Sequence, residues 1–291
     1  MYQILRSSNK PILKQNISYL NKGNCADAEA DSLEYLTFPM LENLNIVKHL
    51  VSTRSGGVSK GHLGTLNLSF TRGDAPENVL ENYRRIADVL GCAVGDMIAS
   101  DQTHTTNIRL VSEADKGKGI LVSKDYMDVD GLITNVPGVV LVTYYADCVP
   151  LFVVDPVKRA IGLAHSGWRG TVDRMGAVVV KSMEEHFGSK PVDLYVAIGP
   201  SICRDCYEVS EEVALQFIAE FGERVVTPGK APGKYQLDLW LSNQMIFEQA
   251  GIPVSQIQVT DVCTCHNSDY LFSHRATGGK RGNIAAFLSI S

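Results

Sequence analysis

Cys148, in ADCVP, and His165, in HSGWRG, are the two residues of this 291-residue chain best placed to do chemistry together. A thiol beside an imidazole is either part of a metal site or a nucleophile–base pair. Between them runs an apolar stretch broken by Asp155-Pro156-Val157-Lys158, which has the composition of a turn. If residues 149–154 and 159–164 form an antiparallel hairpin centred between Pro156 and Val157, Cys148 falls opposite His165. Their Cβ atoms would then lie about 4.5–5.5 Å apart on one face, a span that one zinc ion bridges. His104, in SDQTHTTNIRLV, sits where a polar stretch gives way to a short strand, a suitable place for a third ligand. Spacing alone does not bring it to Cys148. The plainer reading of all three is a buried thiol and two core histidines with structural hydrogen bonds.

The remaining cysteines pose a second question. The chain has seven, at 25, 92, 148, 203, 206, 263 and 265. An odd number without an export signal argues for thiols or metal ligands over a disulfide framework. Cys203-x-x-Cys206 and Cys263-x-Cys265 permit a four-thiol structural zinc site, though C-x-C is an unusual spacing for one; buried free thiols are the competing reading. Of the other histidines, His62, His186 and His266 read as solvated and His49 as buried in a strand.

These residues need elements to hold them. Residues 138–165, GVVLVTYYADCVPLFVVDPVKRAIGLAH, are almost continuously apolar and rich in β-branched side chains. They read as two or three buried strands, interrupted at Asp147-Cys148 and at the turn. HLVSTRSGGVSKGHLGTLNLS, from His49, reads as a strand, a glycine-rich turn and a second short strand. PENVLENYRRIADVL (76–90) places Val79, Tyr83, Ile86 and Leu90 at helical spacing between Pro76 and Gly91. A helix over 171–187 carries Val172, Met175, Val179, Met183 and Phe187 on one stripe. Helices follow over 210–222, with Ser210 as N-cap, and over 237–251, ended by glycine; 192–199, 257–260 and the closing AAFLSI read as strands.

The fold class implied is α/β or α+β, one mixed sheet packed with helices. Residues 1–45 are weakly patterned, with a polar, loop-like NKGNCADAEADSLE and one or two peripheral strands expected; 46–291 read as one domain. A 45% hydrophobic, 20% charged composition is that of a soluble globular protein. The net charge of −5 argues against nucleic-acid or anionic-membrane partners. The opening MYQILRSSNK lacks an apolar signal core and no run is long enough to span a membrane, so a cytoplasmic address is expected.

From about His49 onward the chain resembles the laccase-domain family, also described as polyphenol oxidases, purine nucleoside phosphorylases and peptidoglycan-editing factors. The motifs that carry the resemblance run in order: TRSGGVS (53–59), LNLS (66–69), Asp74 with ENYRR, QTH (102–104), ADCVP (146–150), HSGWRG (165–170), GPSICRDCYEV (199–209), LDLWLSNQ (237–244), DVCT (261–264) and FSHR (272–275). Thr105 follows QTH where glycine is common, and the family's arginine-rich end appears here as RATGGKRG, with Arg281. The resemblance implies a cysteine-hydrolase-like α/β fold and a metal site of His104, Cys148 and His165. Three ligands of that kind leave a fourth position for water or substrate, as in catalytic zinc sites, with copper the alternative metal.

The activity implied is phosphorolysis of adenosine, inosine, guanosine or methylthioadenosine, together with hydrolytic deamination of adenosine. The partners are then small purine nucleosides and phosphate, on a monomer or homodimer. Arg169, just ahead of the helix expected from Thr171, is the candidate phosphate contact, with a helix-start salt bridge as its plainer reading. Trp168 offers a face for a purine base, or simply plugs the domain edge. Arg54, beside Gly56-Gly57, and Arg275, in FSHR, are further anion or ribose candidates. Asp147 would point away from the site in a regular strand and orient a ligand only at a bulge. Rival functions are a cysteine or zinc amidase that edits peptidoglycan precursors, a copper polyphenol oxidase, and a non-enzymatic metal-binding protein. The copper rival lacks a His-x-His pair and has too few histidines for several centres.

Overall fold

The computed structural model of the protein describes residues 13–18 and 32–291. Cys25 and residues 21–31 of NKGNCADAEADSLE lie outside the described residues, while the last three residues of that stretch, expected to be loop-like, begin a strand at Ser32. Two six-stranded sheets dominate. The first runs in the order β1 (Leu13–Ser18), β2 (Ser32–Thr37), β3 (Val47–Ser52), β15 (Ile284–Ile290), β7 (Val140–Tyr145), β4 (Met97–Ala99). The second runs β14 (Ile257–Val259), β10 (Tyr195–Ile198), β8 (Val149–Asp155), β9 (Ala160–Ser166), β6 (Gly131–Thr134), β5 (Ile108–Leu110). A small third sheet holds β11 (Glu208–Ser210), β13 (Lys234–Leu237) and β12 (Val226–Pro228). The helices are α1 (Pro39–Glu42), α2 (Pro76–Leu90), α3 (Trp168–Val172), α4 (Met175–Phe187), α5 (Glu211–Phe221), α6 (Leu239–Gln249) and α7 (His274–Thr277). The fold is thus mixed α/β as expected, with two large sheets in place of one.

The layering explains why the central strands are apolar on both faces. Leu151 and Val153 of β8 face the core shared with α4, α5 and α6, where Val179, Phe217 and Phe247 pack. Phe152 and Val154, which alternate with them, face the core between the two sheets, opposite Val51, Leu141 and Leu288. A strand buried on both faces has no polar side to offer. On the far side of the first sheet α2 packs Val79, Tyr83 and Ile86 against Leu50, Val142 and Phe287. Its limits are the expected ones: Pro76 opens it and Gly91, at φ 65°, closes it in the left-handed region.

Three expectations need correction. The hairpin register is shifted by two residues, because Val149 pairs with Ser166 and Pro150 with His165. Its turn is longer than assumed: Asp155 Oδ1 accepts from the N–H groups of Val157 (2.8 Å) and Lys158 (2.9 Å), and Arg159 takes φ 48°. A slip of two keeps every side chain on its own face. The helix expected over 171–187 is two helices, starting earlier at Trp168 and broken at Arg174, which sits at φ 60°. The second short strand expected in TLNLS does not form, because the Asn82 side chain occupies the place of a ladder partner. It donates to the carbonyl of Asn67 (2.8 Å) and accepts from the N–H of Val58 (2.9 Å). Ser210 stands at the N-cap position of α5 without a side-chain capping bond, whereas Asp238 caps α6 by accepting from the Leu241 N–H at 2.9 Å.

Candidate metal centre

The chain crosses between the two large sheets at Ala146–Cys148, from β7 to β8, and again at residues 100–107, from β4 to β5. Each crossover delivers one ligand candidate, and β9 delivers the third. Asp147 takes φ 95°, which turns the strand and separates its side chain from that of Cys148. The Asp147 carboxylate accepts from Thr264 Oγ1 at 2.6 Å and from the Arg275 N–H at 2.7 Å. It therefore anchors the crossover from behind and does not orient a ligand.

His104 takes φ 67° and is held by its neighbours. Gln102 makes a strand-like pair with Tyr144, accepting from its N–H and donating to its carbonyl, both at 2.7 Å. Asp130, fully buried, accepts from the backbone N–H groups of Thr103 (3.0 Å), His104 (3.1 Å) and Thr105 (2.9 Å). The same carboxylate binds His165 Nδ1 at 2.8 Å, which fixes the ring and leaves the Nε2 lone pair for the Cys148 side. One anion thus sets both histidines.

The ligand atoms of His104, Cys148 and His165 lie within 4.8 Å of one another, with Cys148 Sγ 3.9 Å from His104 Nε2. The space is tight. A Cβ on Gly167 would come within 2.9 Å of His104 Cδ2 and 3.1 Å of Cys148 Sγ, so position 167 admits no side chain without displacing a ligand. Burial alone pushes the Cys148 thiol up, but His165 and His104 beside it bring it down to about 6. Burial also disfavours the His165 cation, yet the Cys148 sulfur and Asp130 raise it to about 9. Asp130 is held below the ordinary carboxylate range, against its own burial, by His165 and the backbone donors. A thiolate and two imidazoles, one oriented by a carboxylate, suit zinc or copper.

The triad opens on a cavity of about 280 Å³. Its wall includes Phe70, Arg72, Tyr144 and Arg281. Arg281 is only 8% exposed and its Nε has no hydrogen-bond partner among the described residues. Burial, and then Arg72 nearby, lower its pKa to about 10. The other candidates lie elsewhere. Arg169 is exposed, 4.4 Å over the ring of Trp168, in the first turn of α3. Arg54 donates to the carbonyls of Gly64 and Ser268 and lies over Phe272. Arg275 donates to those of Cys206 and Glu208. None of these four lines the cavity.

A family described as multi-copper polyphenol oxidoreductase laccase matches residues 48–291. The chain belongs to this family. Its relatives include the purine nucleoside phosphorylase YlmD of Bacillus subtilis, 36% identical over 82% of this chain and 87% of that protein. The adenosine deaminase RL5 of an unknown prokaryotic organism is 31% identical over 83% of this chain and 95% of its own length. The crystal structure of the Bacillus licheniformis hypothetical protein YfiH superposes with a TM-score of 0.84 at 30% identity, covering 92% of this chain and 98% of that one. Among the described residues of this laccase-family chain, no helix is long and apolar enough to cross a membrane.

Asp130 and Arg72 had no place among the sequence candidates. Asp130 stands just before β6, whose Gly131 pairs with Ala164, so only that register reveals that it faces His165. Arg72, in TRGD, joins Arg281 through Asn283, a contact between segments far apart in sequence.

Proposed function

We propose that this protein is a metal-dependent purine nucleoside phosphorylase with its reaction centre at His104, Cys148 and His165. The observation that carries the proposal is the adjacency of two unlike sites. A group of three side chains able to hold a metal opens on a cavity whose wall holds a buried arginine with an N–H unpartnered among the described residues and a second arginine beside it. The buried Arg281 guanidinium, with the exposed one of Arg72 beside it on the cavity wall, suits recognition of an oxyanion such as phosphate. That choice places phosphate at Arg72 and Arg281, leaving Arg169 as a surface residue.

In phosphorolysis a phosphate oxygen bonds to the ribose C1′ as the bond from C1′ to the base breaks, and the departing base takes up a proton. Arg72 and Arg281 would orient the phosphate and offset its charge as the bond forms. Phe70 and Tyr144 offer aromatic walls for a base. Asp130 keeps His165 in one tautomer and both histidines in place. A zinc ion on the triad would supply Lewis acidity to this site.

The test is to incubate metal-loaded protein with adenosine, inosine, guanosine and methylthioadenosine, with and without phosphate. Free base and sugar 1-phosphate should appear only with phosphate, and Cys148→Ala should abolish them. Arg281→Gln should raise KM for phosphate by about 10–100-fold, the loss of one charge-assisted hydrogen bond. Full activity in Cys148→Ala would overturn the proposal. Ammonia released from adenosine without phosphate would instead favour the deaminase chemistry for which the RL5 relative is named. An acyl-enzyme adduct at Cys148, with no nucleoside turned over, would favour the amidase reading.

A further inference from the structure

A second group of soft ligands sits behind the first site. Cys203, Cys206, Cys263 and His266 present ligand atoms that all lie within 4.8 Å of one another. They come from two loops that leave the parallel pair β10 and β14, joined at a bridge between Ser201 and Cys263. On the first loop the spacing is C-x-x-C and on the second C-x-x-H. Cys265, which made the spacing look irregular in the sequence, is not a member; His266, exposed as expected, takes its place with Nδ1 3.7 Å from Cys203 Sγ.

We propose that Cys203, Cys206, Cys263 and His266 bind a structural zinc ion, separate from the His104–Cys148–His165 centre. Three thiolates and one imidazole form a closed tetrahedral set, the composition of structural and not catalytic zinc. The backbone already favours a thiolate at the centre of the group. Cys263 Sγ accepts from the N–H groups of Cys203 (3.3 Å) and His266 (3.5 Å), donors that stabilise a charged sulfur and arrive from both loops. The site has a structural task. The two loops it would join also grip the crossover, where the Ile202 N–H donates to the Asp147 carbonyl at 3.0 Å and Thr264 Oγ1 to its carboxylate at 2.6 Å. A zinc clip there would fix the segment from which Cys148 projects.

The experiment counts zinc in a Cys148→Ala variant, reduced and dialysed against zinc, so that the first centre does not contribute. About one zinc per chain is expected. After exchange for cobalt, the same variant should show the intense thiolate-to-metal absorption of a three-thiolate site. Cys265→Ser on that background should leave both unchanged, His266→Ala should weaken binding but keep the thiolate absorption, and Cys203→Ser with Cys206→Ser should abolish it. No zinc in the folded Cys148→Ala protein would overturn the proposal. So would zinc retained after loss of Cys203 and Cys206, or a cobalt spectrum without thiolate character. None of these readings depends on nucleoside turnover, so they stand or fall apart from the phosphorylase proposal.

Discussion

At the scale of single residues, the arrangement depends on an aspartate that does not line the cavity. Asp130 receives His165 Nδ1 and three consecutive backbone N–H groups, so it shapes the His104 loop and the His165 ring together. Outer partners of this kind tune metal affinity by holding the ligand in one tautomer. Replacing Asp130 with Asn keeps the size but removes the charge that pairs with these donors and with the Thr105 hydroxyl. Zinc affinity at the triad should fall by about 10–100-fold, read by competition with a chromophoric chelator, while the circular dichroism stays native. Unchanged affinity would mean that the carboxylate is only structural. Cys148 and His165 were legible in the sequence because reactive side chains stand out in an apolar hairpin. Asp130 was not, since an aspartate before a glycine reads as an ordinary turn until its strand has a neighbour.

Elements behave differently from residues, since their existence was easier to foresee than their register or partners. The helix at 76–90 follows from apolar spacing with Pro76 and Gly91 as punctuation, all of it local information. The hairpin register was missed because the Asp155 side chain builds a longer turn than the shortest that the chain allows. Cys148 and His165 still meet, because a two-residue slip preserves the face. The strand expected in TLNLS is absent for another reason: its backbone is satisfied by a side chain of α2. Asn82, fully buried, bonds the Asn67 carbonyl, the Val58 N–H and Ser59 Oγ. No spacing rule reports such a partner. Asn82→Ala would leave the Asn67 carbonyl and the Val58 N–H without this partner and should destabilise the fold by roughly 2–4 kcal/mol. The check is a lower denaturant midpoint at unchanged m-value, and a loss below about 0.5 kcal/mol would refute the role given to Asn82.

For the whole molecule, the central fact is that two sheets share one core while the chain passes between them at the His104–Cys148–His165 cluster. The apolar runs showed that β7 and β8 are buried, but not that they belong to different sheets, because burial on both faces looks the same from sequence in either case. His49, on β3, is sealed between those sheets. Its ring stacks on Phe38 at 5.5 Å and meets Phe152 edge-on at 6.2 Å, and its Nε2 accepts from the Phe38 N–H at 2.9 Å. Burial lowers its pKa to about 3, so the imidazole is neutral in the folded protein at any mild pH. The unfolded chain, by contrast, takes up a proton at His49 once the pH falls below the ordinary histidine value of 6.5. Its contribution to stability is therefore complete above that value, declines as the pH falls, and stops declining near 3. Between pH 7 and pH 4 this one residue should cost the fold about 3 kcal/mol. Gln at position 49 keeps a neutral acceptor but cannot titrate. Urea unfolding of both proteins at the two pH values isolates the effect: His49→Gln should lose about 3 kcal/mol less than the parent on acidification, whatever its stability at pH 7. Parallel losses in the two proteins would show that the imidazole is not held neutral between the sheets.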